Sequence, residues 1–150
     1  MYLRNVPLRL TTGAFILNSG IEKWKGGKEQ AEGVHGMAKG AYPLLGDVDP
    51  QLFLRAVSAA EIATGVLLLS PVTSPVKAGA ALTAFSGGLL GLYLRTPGMT
   101  KPNSILPSPE GMGVSKDVWM LGIGLSLVLS GVRRKVDSAV TSAKGVIPIG

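Results

Sequence analysis

Between Arg55 and Arg95 the chain carries only two charges, Glu61 and Lys77. A helix or sheet on the surface of a water-soluble domain needs a polar face, and this stretch supplies none. It breaks at "PVTSP", where Pro71 ends one helix and Pro75 starts the next. So short a connection makes the two helices an antiparallel hairpin. Each flank is about as long as a hydrocarbon crossing requires, roughly 20 residues. Strands are the weaker reading, because Leu, Ala and Gly recur with little period-two alternation. Lipid admits only helices and closed barrels, and so few segments cannot close a barrel.

Two further apolar segments flank this hairpin. The four are expected at about residues 6–23, 50–70, 75–94 and 117–132. The expected fold is therefore all-α: an integral membrane, antiparallel four-helix bundle over residues 1–135, with a tail at 136–150. Arg4 and Arg9 precede "GAFILNSGI", yet no small-x-small cleavage site follows, so the first segment reads as an uncleaved helix. In the long first loop, residues 28–41 can form a short interfacial helix with Ala31, Val34 and Ala38 inward. Trp24, Tyr42, Tyr93 and Trp119 fall near helix ends, as interfacial aromatics do. Small residues at four-residue spacing mark expected packing faces: Gly87 and Gly91 in the third segment, Gly122, Ser126 and Ser130 in the fourth.

Charge gives the topology. With four crossings, both termini share a side with the "VTSPVK" turn. That side holds seven bases against one acid, while the other holds eight bases against seven acids. The "RRK" cluster at Arg133–Lys135 abuts the last segment, which favours cytoplasmic termini and a multi-pass plasma-membrane protein. The net charge of +6 is read as basic flanks beside anionic lipid. No basic run interleaved with aromatics is present, so nucleic acid is not an expected partner.

Several chemistries are excluded or unsupported. The chain has no cysteine and a single histidine, His35. It therefore offers no thiol redox centre and no thiolate or His-based metal cluster. No nucleophile triad or phosphate loop is legible. "SGGLLG" lies within a lipid-type helix rather than after a strand. His35 is expected in a solvated loop.

Glu61 is the residue that demands explanation. A charged carboxylate at mid-bilayer costs about 2.5–3.5 kcal/mol on insertion scales. Arg9 is its expected partner, across a vertical gap of roughly 10 Å at 1.5 Å per residue; Arg55 is the alternative. Two roles are open for the Arg9–Glu61 pair: a buried ion pair that fixes register, or a polar pocket that binds a head group or passes protons. A second cluster, Glu22, Lys23, Arg55, Lys116 and Asp117, is expected at the outer interface. Its reading is charged helix ends among lipid head groups, with a shallow anion site as the alternative.

The order of motifs resembles the DoxX-like family of small membrane proteins. "LRLTTGAFILNSGIEKW" is similar to the family's opening, at Arg9, Gly13, Gly20 and Lys23. "AAEIATGVLLL" is similar to its acidic-x-x-x-Gly-x-x-Leu pattern, at Glu61, Gly65 and Leu68. "SKDVWMLGIGLSLVLSG" looks like its last helix. The resemblance runs over most of residues 4–135 and implies a four-helix membrane protein. It also implies membrane lipid and other membrane subunits as partners, and a quinone or lipid as ligand, with no covalently bound cofactor. The expected role is a noncatalytic accessory subunit of a membrane redox assembly, not an enzyme on its own. Two alternatives stand beside it: a permeation pathway for a small solute, and a scaffold that holds a soluble enzyme by the basic tail.

Overall fold

The computed structural model describes residues 5–145. Four long helices dominate: α1 (Val6–Trp24), α3 (Pro50–Leu69), α4 (Pro75–Arg95) and α6 (Asp117–Gly145). Between them lie α2 (Lys28–Ala41), a 3-10 turn at Pro43–Leu45 and the single-turn α5 (Met112–Ser115). Among the described residues there is no strand, only an isolated bridge between Thr100 and Pro107. Proline and caps set the helix starts. Asp49 accepts from the Leu52 amide at 2.8 Å ahead of Pro50, and Ser74 accepts from Lys77 at 3.3 Å ahead of Pro75. Each satisfies an amide that the helix cannot, while proline occupies a position whose amide has no helical partner.

The long helices form two closely packed pairs. α1 lies along α3 and α6 along α4, whereas α1 and α6 stand apart. Both pairs are antiparallel: Gly13 meets Leu68 and Gly20 meets Ile62 in one, while Gly79 meets Gly124 and Gly131 meets Val76 in the other. These contacts tolerate no side chain. A Cβ on Gly65 would sit 2.8–2.9 Å from Leu17 backbone and Cβ atoms, and one on Gly79 2.6 Å from the Gly124 carbonyl oxygen. Ser58 strengthens the first seam by donating to the Gly20 carbonyl at 2.6 Å. Ile16, Leu68, Ala78, Leu82 and Leu127 then form a buried cluster joining the two pairs.

The expected packing faces are corrected here. Gly87 and Gly122 have open space where a side chain would go, and Gly91 faces the Tyr42 ring hydroxyl rather than another long helix. Ser126 is exposed; Ser130 accepts a hydrogen bond from Asn5 at 3.1 Å. The true seams place small residues seven apart: Gly13 and Gly20, Ser58 and Gly65, Gly124 and Gly131. Seven residues make almost two whole turns, so such a row stays on one face of a helix.

α6 also runs beyond the expected end near residue 132. Apolarity stops there, but no proline or glycine interrupts the chain between Val132 and Lys144, and loss of apolarity alone does not end a helix. α2 forms over the expected residues, with Ala31, Ala38 and Ala41 buried. His35 is buried too, against expectation: its Nε2 lies 2.7 Å from the Leu45 carbonyl and its ring meets Phe53 edge-on. Tyr93 is likewise inside, donating to the Ile105 carbonyl at 2.7 Å and so anchoring the proline-rich loop. Trp24 and Trp119 are exposed. The bundle thus has a turn end, at the α3–α4 connection, and a loop end, covered by α2 and the 96–116 loop.

Candidate functional site

A cavity of about 650 Å³ opens at the loop end, where α1 and α6 part. Its walls are apolar and partly aromatic: Phe15 and Ile16 from α1, Phe85 and Leu89 from α4, Met120 and Ile123 from α6. Val34 and Met37 close it from α2, and Trp119 stands exposed beside it. Of the polar residues lining it, Ser19, Lys23, Glu61 and Asp117 gather at one place, while Thr11 and Thr12 lie about two turns away along α1.

The local sequence explains that gathering. Ser19 and Lys23 lie four apart on α1, so they share a face. Gly20 lets α3 come so close that a Cβ there would be 3.0 Å from the Glu61 Cβ. The Glu61 side chain therefore starts against α1 and reaches Lys23 without leaving the protein. Lys23 Nζ lies 3.0 Å from Glu61 Oε1 and donates to Ser19 Oγ at 2.7 Å. Ser19 in turn donates to the same Oε1 at 3.3 Å. Glu61 is 5% exposed, and its second oxygen, Oε2, is buried without a hydrogen-bond partner. Asp117, at the start of α6, is also buried and within electrostatic range of both Glu61 and Lys23. Two carboxylates thus face one ammonium, with Lys116 exposed at the rim.

Arg9 does not pair with Glu61. It is fully buried at the turn end and spends its donors on main-chain oxygens of α3 and the following turn. Nε donates to Leu68 O at 2.7 Å, Nη1 to Thr73 O at 3.0 Å, and Nη2 to Leu67 O at 2.9 Å and Ser70 O at 2.7 Å. The last carbonyls of a helix lack helical partners and carry its negative dipole end. A guanidinium with five N–H groups suits them better than a distant carboxylate.

A family model described as DoxX matches residues 5–95. The chain belongs to the DoxX family. Family membership joins two helical runs that are long and apolar enough to cross a bilayer, α3 at Pro50–Leu69 and the α5–α6 run at Met112–Ser142, and the DoxX chain is a membrane protein. No curated protein and no solved structure matches it. Of the polar floor, Ser19, Lys23 and Glu61 lie inside the DoxX match, while Asp117 and the rest of α6 lie outside it.

The expected outer cluster divides. Lys23 and Asp117 join Glu61 inside the DoxX bundle, and Lys116 sits at the cavity rim. Glu22 is exposed elsewhere, and the Arg55 guanidinium lies over the Trp24 ring at 5.6 Å. Among the described residues no three His, Cys, Asp or Glu side chains come together as a metal site requires. The sequence did hold a signal for Lys23. A Ser and a Lys four apart on an apolar helix, beside the glycine that admits α3, form a polar stripe at the loop end of α1, level with Glu61 where Arg9 is not.

Proposed function

We propose that this DoxX protein is a multi-pass plasma-membrane bundle in which α1, α3, α4 and α6 all cross the bilayer, with both termini cytoplasmic. It serves as an accessory, noncatalytic subunit of a membrane redox assembly, and its cleft between α1 and α6 holds a lipid-soluble, quinone-type ligand. One observation carries the reading: a largely apolar cleft of about 650 Å³ is lined by a buried glutamate that lacks a partner for one oxygen. The volume, about 650 Å³, falls in the range of small-ligand sites. Apolar walls with a few convergent polar groups are what an amphiphile with a polar head requires. α1 and α4 are less apolar than α3, and packing in pairs lets them shield their polar residues from lipid.

The test is mass spectrometry of the intact assembly released from membranes in mild detergent. The expected result is the chain together with other membrane subunits and a bound quinone-type molecule. A chain that travels alone, and that supports solute flux in liposomes abolished by Glu61→Gln, would replace this reading with transport.

A second reading has its own support. α6 continues as one helix to Gly145, well past Gly131, which packs on Val76 at the start of α4. That projection, with Arg133, Arg134 and Lys135 at its base, would serve to hold a soluble enzyme. Removing residues 136–150 would then release the soluble partner and leave the bundle folded.

A further inference from the structure

The floor of the cleft is unequal in its donors and acceptors, and that inequality predicts which ligands it takes. Ser19 and Lys23 both donate to Glu61 Oε1. Lys23 has three protons and uses one on Oε1 and one on Ser19. Its side chain is 23% exposed, so the third proton can be hydrated without a ligand. Glu61 Oε2 has no such outlet, being buried with no donor beside it. Asp117 adds a second carboxylate to the same cavity, and carboxylates in their charged form only accept. The unmet demand of the site is therefore for a hydrogen-bond donor.

Resting on the cleft as a ligand site, we propose that it selects lipid-soluble aromatic molecules whose head group carries a hydroxyl. These are alkylated hydroquinones or phenols, the reduced rather than the quinone form. Reaching the buried Oε2 requires the Glu61 carboxylate to turn toward the cavity it lines; a phenolic hydroxyl then donates to it and accepts from the third Lys23 proton at once. A quinone carbonyl can accept from Lys23 but leaves Oε2 unpaired, and an ether does the same. Phe15, Phe85 and Trp119 give an aromatic head group rings to pack on. Leaving a buried polar group unpaired is what makes a polar site reject analogues that lack the matching group.

The experiment is anaerobic isothermal titration of the full chain in lipid nanodiscs with three probes of equal tail: a decyl hydroquinone, its quinone and its dimethyl ether. The hydroquinone is expected to bind about tenfold or more tightly than either of the others, the loss attached to one unpaired buried group. Glu61→Gln, which replaces an acceptor by an amide that can donate, reduces that preference to within about threefold and improves the quinone relative to the hydroquinone. Leu89→Trp adds bulk to the α4 wall and abolishes binding of all three, with the helical circular dichroism and melting retained. If Leu89→Trp abolishes binding but the wild-type protein takes the three probes equally or prefers the quinone, the selectivity is refuted and the cleft stands. If no probe binds the folded protein, or Leu89→Trp changes nothing, the cleft reading falls as well.

Discussion

The two ends of the bundle each hide a charged side chain, and they treat it in opposite ways. At the turn end Arg9 is fully buried and directs its guanidinium at four main-chain oxygens. Nothing else is needed there, and Arg9 does not line the cavity between α1 and α6. At the loop end Glu61 is almost as buried, yet only one of its oxygens is bonded, and it borders a cavity of about 650 Å³. Packing follows the same division. Glycine seams hold α1 on α3 and α4 on α6, whereas α1 and α6 separate where the cavity opens. A saturated buried charge locks a fold; an unsaturated one beside open space can recognise something.

The contrast can be broken by substitution. Arg9→Met should have the largest effect, because it takes the guanidinium donors from four carbonyls at the C-terminal end of α3 and in the turn after it, where Ser70 O keeps only the Thr73 amide at 3.3 Å. A loss of about 3–5 kcal/mol is expected, in the range for removing one partner from a buried polar network, measured by reversible unfolding in detergent. The seams come next. Gly65→Ala and Gly79→Ala each place a Cβ against backbone, and overpacking of this kind costs about 1–3 kcal/mol. Ser58→Ala removes one hydrogen bond to Gly20 and should cost about 1 kcal/mol. Gly122→Ala, on the open face of α6, should change stability by less than about 0.5 kcal/mol. A cost at Gly122 equal to that at Gly79 would erase the distinction between seam and open face.

The helices were legible because their punctuation is local. Pro50 and Pro75 with Asp49 and Ser74 mark starts, and Pro71 and Pro75 enclose a turn too short for anything but a hairpin. α2 was legible from the spacing of Ala31 and Ala38. The partners of the buried charges were not, because they depend on register between helices. Glu61 meets Lys23 only because Gly20 admits α3 at that level. Arg9 bonds to carbonyl oxygens, which every residue carries and no sequence displays. The four-residue rule for small side chains misdirected attention to Gly87 and Gly122, when the row that packs is spaced by seven. His35 was misplaced for a related reason. Its partner is the Leu45 carbonyl in the 3-10 turn, which brings the ring inside.

Thermal unfolding of Glu61→Gln beside Arg9→Met, in the same detergent, weighs the two ends against each other. The account predicts a melting temperature lowered by about 6–20 °C for Arg9→Met, from a loss of about 3–5 kcal/mol at roughly 2–4 °C per kcal/mol for a chain of this size, and by less than about 3 °C for Glu61→Gln. Equal losses would make the Lys23–Glu61 contact a structural ion pair and take away the reason to place a ligand above it.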